Sequence, residues 1–481
     1  MQSRESKDRL DPTILVIFGA TGELSRERLI PAIFRLFERK LLPKKFQIVG
    51  FARSVFSHEE FRKKVKPAHG SGEWDKFAKE IFYTPGNFTS EADFVSLVKF
   101  LDKLETKGHS CANRLFYFAT LPSHYHTISH ALEKSGLLRG CSLHKRQTRV
   151  VLEKPFGADL GSARKLDNTL SKYFAEEQIY RIDHYLGKET VQNLLTVRFA
   201  NSIFEPVWNR EYIDHVQISS MQETGIGNRG AFYEQTGAIR DIIQNHLMQL
   251  LALICMERPN DLSSGAIRDE RNKIIKAIRK PTKAELAKTL VAGQYLGYRK
   301  EANVAPYSRV ETFATMKLFV DNQRWRGVPF YLRTGKFIRQ KLTRISVHFK
   351  RPVPNLFSDQ PILPNVLIFE IQPNEGLFLD LTAKFPGFGV KLHPVTMELG
   401  YHSAFHGEFP EAYERLLLDF IQGDQRLFAR SDEIENSWKY IDELEKFIAS
   451  KRPKLETYKP GTWGPNSADK IMARDGRGWY N

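Results

Sequence analysis

Cysteine is scarce in this chain, with only three such residues among 481. Cys111, Cys141 and Cys255 lie far apart and lack the short spacing that metal ligands require. A small scaffold held together by disulfides is therefore excluded, and the pattern is typical of a reducing cytoplasm. Zinc, EF-hand and P-loop patterns are also missing, so the sequence predicts no metal.

Long apolar runs are missing as well. No stretch approaches the roughly 20 consecutive apolar residues that a membrane-spanning helix needs. Residues 1–10 are charged and lack the apolar centre of a secretory leader, which argues against export. We therefore expect a cytoplasmic protein with no membrane partner.

The charge is strongly one-sided, with a formal net value of +16. Such a surplus raises the question of nucleic-acid binding. The Lys and Arg residues are scattered, however, with no block of five or more and no recognisable nucleic-acid module. An enzyme that acts on small anions explains the charge equally well, so we expect no nucleic-acid partner.

A length of 481 residues exceeds one hydrophobic core and predicts two domains. A helical pattern follows the first apolar run, and Pro31 within it should cause a bend. Strands that alternate with helices indicate a doubly wound parallel sheet in the first part of the chain. Four short apolar runs have the composition of its buried strands: residues 14–18, 46–52, 114–119 and 148–152.

The second part of the chain has a different pattern. Apolar and polar residues alternate over residues 345–349 and 367–371, and more briefly around Val216 and Ile218. Alternation with a period of two predicts a mainly antiparallel sheet with one solvated face.

Helical patterns lie among these strands at residues 238–256 and 411–421. The tail after Lys451 is rich in Pro, Gly and Lys, and we expect it to be irregular. The two patterns predict a doubly wound domain over residues 1–183 and a β+α domain over residues 184–481.

Six residues join the first predicted strand to the first helix: Gly19, Ala20, Thr21, Gly22, Glu23 and Leu24. Gly19 permits a tight turn, and Gly22 lets the backbone approach a pyrophosphate at the helix N-terminus. Ordinary loops share this pattern. Arg53 and Ser54 follow the second strand, where an NAD site usually has an acidic residue. Unless Arg53 is only a solvated side chain, this cation and hydroxyl favour the 2′-phosphate of NADP.

The most polar short segment is residues 181–188, Arg-Ile-Asp-His-Tyr-Leu-Gly-Lys. His184, Tyr185 and Lys188 can donate hydrogen bonds to phosphate oxygens, and Asp183 can orient a proton carrier. The set suits a small, phosphorylated and hydroxylated ligand. The alternative is an exposed polar turn.

Three further side chains are candidates in combination with that segment. Lys154 precedes Pro155, which restricts its backbone, although a surface lysine is the simpler interpretation. His246 lies on the apolar face of a predicted helix, either as a core residue or, beside a carboxylate, as a general base. Lys336 follows Gly335 and could reach an anion.

In their order along the chain, these segments resemble the glucose-6-phosphate dehydrogenase family from about residue 14 to residue 465. The resemblance implies a Rossmann-like coenzyme domain, a second domain built on a large antiparallel sheet, and a substrate cleft between them. It also implies glucose 6-phosphate as substrate, NADP as coenzyme, and a homodimer or homotetramer. The matching segments are residues 19–22, 52–54, 153–157, 181–189, 198–201, 208–210, 245–247, 333–336, 372–375 and 411–416.

The resemblance also implies roles for single residues. His246 takes the proton of the C1 hydroxyl, and Asp183 orients the imidazole. Lys154 contacts both substrate and coenzyme, beside a cis peptide bond at Pro155. The substrate phosphate is assigned to His184, Tyr185 and Lys188. The remaining substrate contacts are assigned to Glu223, Glu234, Lys336 and Lys341.

One stretch, residues 23–30, departs from the family pattern. Arg28 replaces a lysine near the active site, and its guanidinium is larger and forked. Glu234 stands where the family has Asp, and Gln235 replaces an acidic residue. These changes bear on catalytic efficiency and coenzyme preference.

Two alternatives stay open. A dehydrogenase of the glucose-fructose oxidoreductase type also has a Glu-Lys-Pro segment after a Rossmann strand, but it lacks the segment at residues 181–188. A non-catalytic sensor that binds NADP or a sugar phosphate would explain the altered residues 23–30. The presence of both His246 and Asp183 argues against the sensor.

Overall fold

A computed structural model describes residues 11–68, 72–107, 112–139, 148–353, 356–357, 360–405, 407–451 and 455–481. Residues 1–10, Cys111 and Cys141 lie outside these ranges, and so do the predictions that concern them. The strands are β1 (Thr13–Phe18), β2 (Phe46–Ala52), β3 (Ile81–Pro85), β4 (Asn113–Phe118), β5 (Thr148–Leu152), β6 (Ile179–Ile182), β7 (Ile213–Met221), β8 (Leu290–Tyr295), β9 (Phe313–Phe319), β10 (Pro329–Gly335), β11 (Leu342–Phe349), β12 (Val366–Gln372), β13 (Gly376–Lys384), β14 (Leu392–Gly400), β15 (Phe428–Ala429) and β16 (Glu456–Tyr458).

Helices connect and cover these strands. Two π-helical segments, Ser25–Leu29 and Ile239–Leu247, each continue directly into an α-helix. The α-helices are α1 (Ile30–Glu38), α2 (His58–Val65), α3 (Trp74–Ala78), α4 (Glu91–Lys107), α5 (Tyr125–Lys134), α6 (Leu160–Leu170), α7 (Glu189–Ala200), α8 (Gly230–Ala238), α9 (Met248–Cys255), α10 (Ser264–Lys276), α11 (Lys283–Thr289), α12 (Tyr401–Ala404), α13 (Ala412–Gln422), α14 (Ser431–Lys451) and α15 (Asn466–Ala473).

The first sheet has the strand order β15-β6-β5-β4-β1-β2-β3. Strands β1 to β6 are parallel, and β15 joins β6 in the antiparallel sense. Their order 3-2-1-4-5-6 is that of a dinucleotide-binding fold, whose ligands bind beyond the carboxyl ends of the strands. The predicted parallel sheet is confirmed. All six residues of β1 are buried, which explains why it reads as a continuous apolar run.

The second sheet has nine strands in the order β14-β13-β12-β11-β7-β10-β9-β8-β16. Neighbours pair in the antiparallel sense except β7 with β10 and β8 with β16. The predicted large, mainly antiparallel sheet is therefore confirmed. The π-helical segment Ile239–Leu247 packs against β7 and β10, and α7 packs against β12.

The predicted solvated face of the central strands is wrong. Ser346, His348 and Glu370, the polar members of the alternating pattern, are buried. The C-terminal segment covers them, because Tyr480 packs its ring 5.8 Å from His348 and its amide donates to Gln217 Oε1 at 2.9 Å. Polar residues on that face meet this segment instead of water.

The expected irregular tail is also wrong, because β16 and α15 lie within it. Strand β16 extends the second sheet by pairing with β8. Ile471 and Met472 of α15 are buried, which anchors the helix. Among the described residues, no helix combines the length and apolar composition needed to cross a membrane.

Pro31 lies inside one continuous helical run, residues 23–38, directly after the π-helical segment Ser25–Leu29. A proline cannot donate a backbone hydrogen bond, and a π-helical turn is one of the features found where a helix deviates from regular geometry. The bend that Pro31 predicts stays a prediction. Strand β6 ends at Ile182, one residue before the predicted domain boundary, and the boundary itself stays a prediction.

Candidate active site

The polar segment begins where β6 ends, at the carboxyl edge of the parallel sheet. Asp183 turns the chain there: its Oδ1 accepts the Tyr185 amide at 2.9 Å, and its carbonyl accepts the Leu186 amide at 3.0 Å. A Cβ at Gly187 would lie 2.7 Å from the carbonyl oxygen of Ala412. Glycine at this position therefore lets α13 approach the segment closely.

His246 faces this turn from the π-helical segment Ile239–Leu247. Its imidazole is fully buried, and its Nδ1 lies 2.6 Å from Asp183 Oδ1. An ionised carboxylate only accepts hydrogen bonds, so Nδ1 carries the proton and Nε2 keeps its lone pair. The spacing along the chain could not reveal this contact between residues 63 positions apart.

Lys154 extends from the end of β5 to the same imidazole. Its Nζ lies 2.9 Å from His246 Nε2, 2.9 Å from Asp241 Oδ1 and 3.0 Å from the Asp241 carbonyl oxygen. The Lys154–Pro155 peptide bond is cis, as the family resemblance implies. In this arrangement the ammonium donates to the lone pair that a general base would use.

Burial and charge set the protonation of this group. Burial opposes the ionisation of Asp183, but the nearby His246 outweighs it and brings the pKa of Asp183 to about 2. Burial lowers the pKa of His246 below 6.5, although Asp183 opposes that shift. The pair therefore consists of a carboxylate and a neutral imidazole near neutral pH, as a general base requires.

The other predicted polar residues surround the imidazole. The Tyr185 ring stacks on His246 at 4.2 Å between centroids, and its hydroxyl shares a 2.7 Å hydrogen bond with Ser220 Oγ. The His184 ring lies 4.5 Å from the His246 ring. Lys188 Nζ lies 5.2 Å from the centre of the Tyr185 ring. The structure thus brings all four predicted residues of segment 181–188 to one site.

Lysines line the rest of this site. Burial lowers the pKa of Lys188, which is about 8; the charge of Glu375 opposes this shift and that of exposed Lys341 adds to it. Burial also lowers the pKa of Lys336 to about 8, which Asp241 partly offsets. Lys336 donates to Gln222 Oε1, next to the exposed Glu223. Cations that lose hydration in a cleft are suited to an anionic ligand.

The predicted coenzyme loop follows β1 at the same edge of the sheet. Gly19 has a φ of +83°, and a Cβ there would clash with the carbonyl oxygen of Ala119. The Gly22 amide donates to the Gly19 carbonyl at 3.0 Å, which closes the turn before the helix that begins at Glu23. The residues fit a pyrophosphate, because the loop ends in the amides of a helix N-terminus.

Arg53 and Ser54 follow β2 beside this loop and are exposed. The Tyr83 hydroxyl donates to the carbonyl oxygens of Ala52, at 2.9 Å, and of Ser54, which holds their backbone in place. Both side chains are therefore available to a ligand that lies along the sheet edge.

Comparisons with known proteins agree with this geometry. Profiles described as "Glucose-6-phosphate dehydrogenase, NAD binding domain" and "Glucose-6-phosphate dehydrogenase, C-terminal domain" match residues 16–193 and 195–480. The chain belongs to the glucose-6-phosphate dehydrogenase family. It therefore has a binding domain for a nicotinamide dinucleotide.

Individual relatives cover almost the whole chain. The glucose-6-phosphate 1-dehydrogenase of Chlamydia muridarum is 43% identical over 97% of this chain and 96% of its own length. A structure of glucose-6-phosphate dehydrogenase in complex with glucose 6-phosphate matches with a TM-score of 0.91 at 33% identity, covering 98% and 99% of the two chains. The enzyme of Mycobacterium avium matches with a TM-score of 0.84 at 31% identity, with the same two coverages.

Glu234, which the family pattern assigns to a sugar hydroxyl, already has other hydrogen-bond partners. The Glu234 carboxylate accepts from the Tyr298 hydroxyl and Ser308 Oγ, each at 2.6 Å, and from the Ala305 amide at 3.3 Å. Among the described residues, no contact links it to His246. The carboxylate that meets Lys154 beside His246 belongs to Asp241.

Sequence reasoning did not name Asp241, and an α-helical pattern would not have paired it with His246. In an α-helix, residues five apart lie on different faces, whereas the i→i+5 bonding of a π-helix brings them to nearly the same side. The segment Ile239–Leu247 is π-helical, so Asp241 and His246 share Lys154 as a partner. The clue available in the sequence was Asp241 itself, a charged residue within a strongly apolar helical segment.

The altered stretch at residues 23–30 contains the second π-helical segment, Ser25–Leu29. Arg28 is exposed, and its positive charge opposes the rise that burial causes in the pKa of Tyr413. The Tyr413 hydroxyl donates to Glu153 at 3.1 Å. Glu153 directly precedes Lys154. The replaced position therefore borders the site without changing the group around His246.

Proposed function

We propose that this enzyme oxidises glucose 6-phosphate at C1 to 6-phosphogluconolactone, with NADP as the hydride acceptor. The observation that carries the proposal is the pair of contacts that His246 makes, with Asp183 at Nδ1 and with Lys154 at Nε2. Asp183 holds the proton on Nδ1, and Nε2 is left as the basic atom beside Lys154. A sensor needs neither contact, and an oxidoreductase outside this family lacks segment 181–188.

The protein's part in the reaction is a proton transfer. Lys154 moves off His246 Nε2 when the C1 hydroxyl binds there, and Asp241 retains the ammonium at 2.9 Å. His246 then takes the hydroxyl proton while the C1–H bond breaks and the C1=O bond forms. When bound, the nicotinamide supplies the hydride acceptor. Asp183 stabilises the resulting imidazolium.

The remaining residues position the sugar phosphate. His184, Tyr185, Lys188 and Lys341 bind the phosphate end. Contacts with the sugar come from Glu223, Lys336 and Asp241, which takes the place first assigned to Glu234. Phosphate contacts far from C1 restrain the sugar, and this restraint lowers the entropic part of the barrier.

The coenzyme lies along the loop from Gly19 to Leu24, where amides of a helix N-terminus meet its pyrophosphate. Arg53 and Ser54 bind the 2′-phosphate, because both are exposed beside that loop and neither is acidic. Lys154 lies between the two ligands. The residues for the coenzyme are Gly19, Ala20, Thr21, Gly22, Glu23, Leu24, Arg53, Ser54 and Lys154.

Absorbance of the reduced coenzyme tests this function directly. Purified protein with glucose 6-phosphate should reduce NADP faster than NAD at equal concentrations. Folded protein that reduces neither coenzyme would contradict the enzyme hypothesis and favour a sensor.

An Arg53→Ala variant should weaken NADP binding much more than NAD binding, and equal losses would remove Arg53 from the proposed 2′-phosphate site.

We also propose a cytoplasmic homodimer or homotetramer. Strand β14 lies at the edge of the second sheet, and Val395, Met397 and Leu399 on one of its faces are exposed by 38%, 61% and 38%. Exposed apolar rows on an edge strand favour contact with another chain. Light scattering should give the mass of a dimer or tetramer, and a Met397→Lys variant should shift that mass towards the monomer. A wild-type monomer would contradict the assembly.

A further inference from the structure

A carboxylate with several partners directly precedes Lys154. Glu153 is half-buried at the end of β5, and its Oε1 accepts from the Tyr117 hydroxyl at 2.5 Å and from the Tyr413 hydroxyl at 3.1 Å. The Tyr125 hydroxyl donates to the Glu153 carbonyl at 3.0 Å and accepts from the Glu153 amide at 3.2 Å. Three tyrosines therefore fix both the side chain and the main chain of Glu153.

The charge of Glu153 interacts with the base end of the site. Burial raises the pKa of the Glu153 carboxyl, and the hydrogen bonds from Tyr117 and Tyr413 oppose this rise by stabilising the charged form. The positive charge of Lys154 also opposes the rise, whereas the negative charge of Asp183 adds to it. Interactions between charges weaken with distance, so the Glu153 carboxylate lies near both residues.

The start of α13 contacts three parts of the site, and Tyr413 provides one of these contacts. The carbonyl of Ala412 lies so close to segment 181–188 that a Cβ at Gly187 would be 2.7 Å from its oxygen. Glu414 accepts from Arg35 of α1 at 2.9 Å, and the helical run that contains α1 begins in the predicted coenzyme loop. The first turn of α13 therefore joins the coenzyme side, the phosphate segment and, through Tyr413, the residue before Lys154.

We propose that Glu153 and Tyr413 are positioning residues for Lys154. Their hydrogen bond fixes the main chain from which Lys154 reaches His246 and Asp241. A lysine side chain is long and flexible, so the position of its ammonium depends on how firmly the main chain below it is held. The catalytic part of this inference rests on the proposed function, whereas the placement of the Lys154 ammonium does not.

A double-mutant cycle tests whether Tyr413 acts through Lys154. Tyr413→Phe removes one hydroxyl, and kcat/KM for glucose 6-phosphate should fall roughly 10-fold, within the ~10²-fold that a misplacement of about 1 Å can cost. In a Lys154→Met background the same change should lower kcat/KM less than about 2-fold, because the residue that it positions is already absent. Equal factors in both backgrounds, or no loss in the wild-type background, overturn the proposal.

Two further variants keep the test specific. Tyr117→Phe removes the other hydroxyl on Glu153 and should show the same dependence on Lys154; it replaces Tyr413→Phe in the cycle if that variant does not fold. Tyr480→Phe is the matched control, because its hydroxyl also donates to a carboxylate, that of Asp380, at 2.6 Å. The control should stay within about 2-fold of wild type. A loss as large as that of Tyr413→Phe would contradict a specific role.

Crystal structures of the ligand-free wild type and Tyr413→Phe test the placement without turnover. Lys154 Nζ lies 2.9 Å from both His246 Nε2 and Asp241 Oδ1, and in the variant it should leave hydrogen-bonding distance of at least one of them. A Lys154 side chain in an unchanged position overturns the proposal. Wild-type protein without activity, together with a displaced Lys154 in the variant, contradicts the proposed function and leaves the positioning of Lys154 standing.

Discussion

The two ends of the substrate site differ in how much is arranged before a ligand arrives. At the base end, Asp183, His246, Lys154 and Asp241 are already joined by contacts of 2.6 to 2.9 Å. At the phosphate end, Lys188 is half-buried and Lys341 is exposed; among the described residues neither forms a direct ion pair, although the charge of Glu375 acts on Lys188. The first group is preorganised before a ligand binds, whereas the lysines of the second group are still available to pair with an anion.

This difference has a physical reason. A general base must have a defined tautomer at the moment of reaction, and buried fixed partners provide it. A cation that binds phosphate gains most when the phosphate is its first strong partner, because no ion pair has to be broken. Changes at the base end should therefore lower kcat, and changes at the phosphate end should raise KM.

The largest expected effect comes from His246→Asn. The asparagine cannot accept the C1 proton, so kcat should fall by roughly 10²- to 10⁴-fold, the range of general base catalysis. KM for glucose 6-phosphate should change little, because no phosphate contact is lost. Steady-state kinetics with saturating NADP measure both values, and a near-normal kcat would remove His246 from the role of base.

A matched pair of acidic residues sharpens the description of the base end. Asp241→Asn should lower kcat/KM by roughly 10²-fold, because Lys154 loses a buried charged partner. Glu234→Gln should change kcat/KM less than about 3-fold, because hydrogen bonds to Tyr298 and Ser308 keep that side chain elsewhere. The reverse order of effects would restore Glu234 as the sugar ligand.

Lys188→Met tests the phosphate end. Losing a charged hydrogen bond to phosphate costs about 1.5–3 kcal/mol, so KM for glucose 6-phosphate should rise roughly 10- to 100-fold at nearly unchanged kcat. Lys341→Met is the control, and its more exposed charge should raise KM by only a few-fold. A fall in kcat with constant KM would place Lys188 at the base end instead.

The smallest effect is a pH dependence of substrate binding. Burial lowers the pKa of Lys188 to about 8, so its charge is present below pH 8 and is lost above it. KM should therefore rise more between pH 7 and pH 9 in wild-type enzyme than in Lys188→Arg, whose guanidinium stays charged. Lys336 also has a pKa of about 8, and because it is present in both enzymes its titration cancels when their KM ratios are compared. Identical KM ratios would contradict the titration of Lys188.

Local patterns predicted four of the seven strands of the first sheet and missed β3, β6 and β15. The apolar runs at residues 46–52 and 148–152 have the bounds of β2 and β5, and that at 14–18 lies within β1. Parallel strands covered on both faces need continuous apolar side chains, so their composition is visible without the fold. The second sheet was predicted as antiparallel from another local pattern, the alternation of apolar and polar residues. That pattern did not predict that the C-terminal segment covers the polar face.

The positions of Asp183, His184, Tyr185, Lys188 and His246 were also recognisable in the sequence, because polar residues crowd a short segment or interrupt an apolar face. Glu234 was assigned from the family pattern, and Asp241 was not named, since a helix pattern with a period of 3.6 residues cannot reveal a π-helical turn. The contact between the His184 and His246 rings could not be seen either, because spacing along the chain shows no contact between distant segments.

The sequence by itself determined the family, the parallel and antiparallel sheets, and the residues that supply charge and hydrogen bonds. Those properties follow from side-chain chemistry and local periodicity. Only the tertiary structure decided which carboxylate meets Lys154, which nitrogen of His246 carries the proton, and which sheet face the C-terminal segment covers. These depend on contacts between distant parts of the chain, whose geometry is set by packing of the whole core.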